Sequence, residues 1–188
     1  MSKTKADSRE RLLHAAETTT YHYGFGQAAL ADIAEEARVP LGNVYYYFKS
    51  KDAIGEAIID LRSARFRLLL EQFDQAHADP RERLCAFVQV KIKNREELAR
   101  HGCPVGTLCT ELQKLGTPAA KHSRVLFDAA LDWMETQFQA LGRGEESRSL
   151  AVHLLSATQG VSVLAHTFHD PAFIDIEARR LQAWLRSL

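Results

Sequence analysis

The chain has 188 residues, with 24 Lys and Arg against 24 Asp and Glu, 46% hydrophobic residues, 10 Gly and 5 Pro. That composition supplies a core for one large domain, or for a small one plus a larger one. It excludes a disordered or collagen-like chain, which needs far fewer hydrophobes or far more Gly and Pro, and its zero formal charge speaks against nucleic-acid binding by bulk attraction.

From the N-terminus, residues 1–11 alternate charges with no apolar stretch behind them, so no secretory signal is read there. No window reaches the roughly 18 consecutive apolar residues of a membrane span, and the expectation is a soluble, cytoplasmic protein without a membrane partner. Cys85, Cys103 and Cys109 lack metal-type spacing and fit free thiols of a reducing compartment. Apolar residues recur at helical spacing nearly throughout. Leu12, Leu13, Ala16, Thr19 and Tyr23 trace one face of a first helix, opened by Asp7 or Ser8 and closed at Gly24. Two short helices follow, 30–37 and 41–48, then longer ones at 51–77, 80–100, 104–115, 118–141, 145–168 and 171–188. Pro80, Pro104, Pro118, Gly142 with Gly144, and Pro171 punctuate the joints. The pattern predicts an all-α protein of about nine helices without strands. A change from short to long helices near residue 50 divides it into a three-helix unit, 1–50, and a larger helical domain, 51–188.

Within the first unit, Ile33, Ala34 and Ala37 form a small apolar face, Val39 fills a joint, and Val44 with Phe48 continues the core on the next helix. Ala34 and Gly42 are small where two short helices must cross closely. This is the logic of a helix-turn-helix, here about 29–48, in which one helix braces and the next lays its N-terminal part on base edges in the major groove.

In order and without gaps, Gly24-Phe25, Asp32-Ile33-Ala34, Gly42, Tyr45-Tyr46-Tyr47-Phe48 and Lys49-Ser50-Lys51-Asp52 resemble the N-terminal signature of the TetR family of transcriptional regulators, over residues 8 to about 55. The resemblance implies that 40–46 is the recognition helix, with Leu41, Asn43 and Tyr45 nearest the bases and Tyr46 and Lys51 at phosphates. Gln27, Ala29, Arg38, Pro40, Gly42 and Lys49 complete the implied DNA surface. An amide can read adenine, and phenols and lysines suit phosphate oxygens. Tyr47 and Phe48 read as core. Three positions depart from the signature. Ala28 and Ala29 replace hydroxyl residues that cap the second helix and touch the DNA backbone. Arg38 stands where a turn Gly is common, and Pro40 stands where a capping Ser is common. Residues 1–51 carry a net charge of only +1, so binding must depend on placement: a basic arm at Lys3 and Lys5, and Lys49 and Lys51 after the recognition helix.

For the larger domain the resemblance implies an effector cavity among the helices. The candidates to line it are Phe66, Phe87, Cys103, Leu108, Phe127, Leu131, Gln159 and His166, with Phe73 and Trp133 as further aromatics. Segment 102–112 is similar to the Gly-Cys-Pro stretch of a family branch responding to flavonoid-like aromatics or reactive electrophiles. Cys103 precedes Pro104 at a helix start, where unsatisfied N–H groups favour a thiolate, making it a candidate thiol sensor; the alternative is a buried thiol serving as a small hydrophobe. His166, His169 and Asp170 fall at i, i+3 and i+4 and invite a metal- or cofactor-dependent enzyme as the alternative function. No metal motif accompanies them, so no catalytic residue, metal or cofactor is assigned. Apolar stripes on the last two helices predict a four-helix interface between two copies, through Leu154, Ala157, Val161, Leu164, Phe173 and Trp184. The resulting expectation is a homodimeric repressor on a palindromic double-stranded DNA operator, released by a small-molecule effector or thiol modification, with the long fourth helix as transmitter.

Overall fold

A computed structural model describes residues 2–188, with side chains from Asp7 onward, so the side chains of Lys3 and Lys5 lie outside the described residues. Its elements are α1 (Ser2–Tyr23), α2 (Leu30–Glu36), α3 (Leu41–Tyr47), α4 (Lys51–Ala76), α5 (Pro80–Lys93), α6 (Arg95–His101), α7 (Pro104–Leu115), α8 (Pro118–Ser123), α9 (Val125–Ala140), a 3-10 turn at Gly144–Glu146, α10 (Ser147–Phe168) and α11 (Ala172–Ser187). The all-α class holds, and the expected nine helices are recovered when two narrow breaks are joined. The first break is at Asn94, whose side-chain amide donates to the Val90 carbonyl at 2.8 Å and competes with the helical ladder. The second is at Arg124, between α8 and α9. The helix α1 also begins well before Asp7 and Ser8, its expected caps. No Gly or Pro interrupts residues 2–23, and Asp7 instead pairs with Arg11 one turn on, at 3.9 Å.

The chain forms two compact units, Met1–Arg62 with Thr107–Val125, and Ser63–Gly106 with Leu126–Leu188. This moves the expected boundary at residue 50 and gives the first unit a segment from far along the chain. Specific bonds within that unit explain the change. Asp52 Oδ1 accepts the Ala119 N–H at the start of α8 at 3.2 Å, satisfying a donor that the helix itself leaves unpaired. His122 Nε2 lies 2.7 Å from Asp60 Oδ1, and Arg62 pairs with Glu17 of α1 at 3.2 Å. A Cβ at Gly55 would stand 3.0 Å from the Phe25 ring and 3.4 Å from Ala119 Cβ, so a larger residue there would force the elements apart.

The second unit packs α11 against α5 and α10, and α10 against α6. One cluster holds Leu84, Val88, Met134, Phe138, Leu154 and Leu185, and a second holds Leu98, Ala99, Cys103, Val161, Ala165 and Ile174. Leu154 and Val161 therefore close this unit's own core, 0% and 7% exposed, and are not available as the centre of an interface between copies. Apolar periodicity marked their face without telling which neighbour covers it.

Two backbone details carry the sequence departures into structure. Arg38 occupies a left-handed conformation, φ 53°, in the turn before α3, where a side chain costs on the order of 1 kcal/mol relative to Gly. Ala29 at the N-cap of α2 provides no side-chain acceptor, leaving only Asp32, whose carboxylate reaches back to the Ala29 N–H at 3.4 Å. Restoring the hydroxyl with Ala29→Ser is expected to stabilise the fold by about 1 kcal/mol, read as a higher midpoint in urea unfolding with an unchanged slope.

Candidate functional site

The first candidate surface is built on α3. Val44 is fully buried and Phe48 nearly so, and these two residues fix the helix to its brace. Leu41, Gly42, Asn43, Tyr45 and Tyr46 consequently stand exposed, with Tyr45 and Tyr46 53% and 60% accessible. Tyr47 is half-buried and meets Tyr46 edge to face at 4.9 Å. Pro40, Ala29 and Lys49 are exposed as well, the Lys49 ammonium 3.4 Å from the Tyr45 carbonyl. Gln27 and Arg38 are exposed but line a polar groove with Thr19, Tyr23 and the carboxylates of Asp32, Glu35 and Glu36. Lys51 is placed differently from its expected phosphate role. It is half-buried, its Nζ donates to the Gly26 carbonyl at 2.8 Å, and it lies 5.3 Å from the centre of the Phe25 ring. Burial lowers its pKa, opposed by the negative charge of Glu111.

The second candidate site surrounds Cys103. Gly102 ends α6 at φ 77° and ψ −172°, a conformation open to Gly alone, and so delivers Cys103 to the first turn of α7. There the thiol sulfur receives the N–H groups of Val105 and Gly106 and a hydrogen bond from Gln159, and Lys91 Nζ lies 3.7 Å away. Gly106 makes room for this arrangement, since a Cβ there would fall 2.7 Å from Gln159 Oε1. Burial pushes the thiol pKa up, but the Lys91 charge and the three hydrogen bonds outweigh it, and the net shift is downward. Cys85 shows the contrary case, with burial pushing its thiol up. Neither Lys91 nor Gly106 is singled out by the sequence: Lys91 belongs to another helix, and the space that Gly106 leaves matters only once Gln159 is packed against it.

The eight expected effector-lining residues fall in three places. Phe66, Phe87, Phe127 and Leu131 join one cluster, in which Phe87 lies 6.3 Å from both Phe66 and Trp133, and Phe73 lies 6.1 Å from Trp133. The indole N–H of Trp133 donates to Asp74 at 3.2 Å. Cys103 and Gln159 belong to the thiol site, near which His166 Nδ1 lies 3.2 Å from the Ala99 carbonyl. Leu108 is buried in the first unit. Of the trio considered for a metal, His169 is the left-handed C-cap of α10, and Asp170 Oδ1 accepts the Ala172 N–H at 2.8 Å at the start of α11. These are helix-terminus roles, and the enzyme alternative has no support. Among the described residues, no helix is long and apolar enough to cross a membrane.

The family described as "Bacterial regulatory proteins, tetR family" matches residues 12–58. That segment contains the whole helix-turn-helix and identifies the DNA-binding part of the chain as TetR-type. Among TetR-family relatives, the chain is 29% identical over 149 residues to the HTH-type transcriptional repressor NemR of Escherichia coli K12, covering 78% of this chain and 73% of that protein. It is 25% identical over 143 residues to the HTH-type transcriptional repressor DhaR of a Mycobacterium species, covering 76% and 69%. The fold matches the crystal structure of reduced E. coli NemR with a TM-score of 0.78 over 94% of this chain and 97% of that one, at 20% identity. A TetR-family regulator from Agrobacterium tumefaciens matches with a TM-score of 0.86 over 95% and 97%, at 18% identity.

The lowered Cys103 pKa makes stability depend on pH. Between the folded value and the ordinary thiol value, the unfolded chain binds a proton that the folded chain does not. Stability from this residue is therefore complete above the unfolded value, about 8.5, and is lost as pH falls through the folded one. Relative to Cys103→Ser, the wild-type melting temperature is expected to climb across that window as pH rises. Parallel curves for the two proteins would refute the thiolate.

Proposed function

We propose that this protein is a TetR-family repressor that holds a palindromic operator as a homodimer and leaves it when a small molecule, or a compound that modifies Cys103, acts on the second unit. The carrying observation is the outward face of α3, where Leu41, Asn43, Tyr45 and Tyr46 stand exposed on a short helix anchored by Val44. The names of NemR and DhaR, both called repressors, support the sign of regulation. An association surface is supported by Val152, Val163, Leu164 and Phe168 on α10 and Ile176 on α11, all exposed apolar side chains, with open space at Gly160 between them. Of the residues expected at the interface, Leu164 is exposed, and Ala157, Phe173 and Trp184 are half-buried. Release requires that the effector prefer the state with poor operator geometry, and its effect is no larger than that preference.

Selection of the purified protein on randomised duplexes tests the reading. Enrichment of a palindrome with half-sites about one helical turn apart is expected, and no enriched sequence would overturn it. On the selected duplex, Asn43→Ala should relax one position per half-site by about 1–3 kcal/mol. Lys49→Ala should weaken all sequences alike and flatten the salt slope by about 0.9 per lost phosphate contact.

The sensing reading has its own test. Iodoacetamide or dilute peroxide should modify Cys103 ahead of Cys85, as peptide mass spectrometry reports, and should release the duplex from wild type but not from Cys103→Ser. An unmodified Cys103, under conditions that label a control thiol, rejects it.

A further inference from the structure

The loop between α1 and α2 is held from two sides by side chains distant in sequence. Gly26 donates its N–H to Glu111 Oε2 at 3.0 Å and accepts from Lys51 Nζ at 2.8 Å, so both of its backbone polar groups are engaged by side chains. Glu111 comes from α7 and Lys51 from the first residue of α4, and all three belong to the first unit. Phe25, beside Gly26, is buried beneath the Lys51 ammonium. Gly24 completes the fit, with φ +87° and a virtual Cβ only 3.0 Å from both Glu111 carboxylate oxygens. No side chain but hydrogen would admit the carboxylate so close.

We propose that Glu111 and Lys51 form a latch on this loop, which makes Glu111 a positioning residue for DNA binding and Lys51 an internal brace in place of a phosphate ligand. The loop leads directly into Ala29, the N-cap of α2, which has no capping side chain of its own. The direction of α2 thus depends on the loop, and α3 packs on α2. The negative charge of Glu111 also acts on the Lys51 ammonium, opposing the lowering of its pKa by burial.

The inference rests on the DNA-binding reading for its function but not for its geometry, so the test has two arms. In the DNA-free protein, amide hydrogen exchange at Gly26 should be at least about tenfold faster in Glu111→Ala. Glu111→Gln, which keeps an acceptor for the Gly26 N–H, should retain most of the protection, and amides of α5 and α11 should not change. On the selected duplex, Glu111→Ala and Lys51→Met should each weaken binding by about tenfold while leaving the salt slope at the wild-type value. The double variant should be no weaker than the worse single one. Unchanged exchange at Gly26 in Glu111→Ala overturns the latch whether or not any duplex is selected. A salt slope lowered by about 1.8 per dimer in Lys51→Met, with Glu111→Ala binding normally, returns Lys51 to the phosphates and also overturns it.

Discussion

Helices α2 and α3 have seven residues each, far below the roughly 12–15 that an isolated helix needs to persist in water. Everything the first unit presents to DNA therefore rests on tertiary restraint. Ile33, Val44 and Phe48 supply the apolar part of it, each nearly inaccessible to solvent. The polar part lies outside the motif, in the Asp52, Glu111 and Lys51 contacts that fix the flanking loop and helix ends. A left-handed Arg38 and an uncapped α2 are tolerable because the surroundings, rather than local preference, hold the two short helices.

The second unit applies the same economy to a thiol. Taken alone, burial would push the Cys103 pKa up, as it does for Cys85. Two backbone donors at the start of α7, the Gln159 amide and the Lys91 charge reverse that outcome. The arrangement needs Gly102 for its backbone conformation and Gly106 for the space that Gln159 fills. Their hydrogens are as much part of the site as the sulfur.

Most of the architecture was legible in the sequence, since Pro and Gly mark helix ends locally and the helix-turn-helix is a contiguous pattern. The break at Asn94 was hidden because it comes from one side chain turning on its own helix. Leu154 and Val161 were misplaced because periodicity identifies an apolar face and not its neighbour. The inward turn of Lys51 and the part played by Glu111 left no local sign at all. They are pairings between residues far apart in sequence, and a single sequence does not display such pairs. The neutral charge of the chain has a simpler explanation. Asp32, Glu35 and Glu36 gather on α2, while α3 has no acidic residue, so the unit is polarised rather than uncharged.

The first unit is discontinuous: Thr107–Val125 completes a body begun by Met1–Arg62. On the ribosome, the helix-turn-helix emerges early but lacks Glu111, the Ala119 amide and His122 until the chain has been made through α8. The intervening helices must be threaded out before the DNA-reading part can finish folding. The same fact limits modular evolution. A recombination event joining a new effector domain after the motif would discard the contacts from Glu111, the Ala119 amide and His122, whereas one that carried α7 and α8 along would keep them.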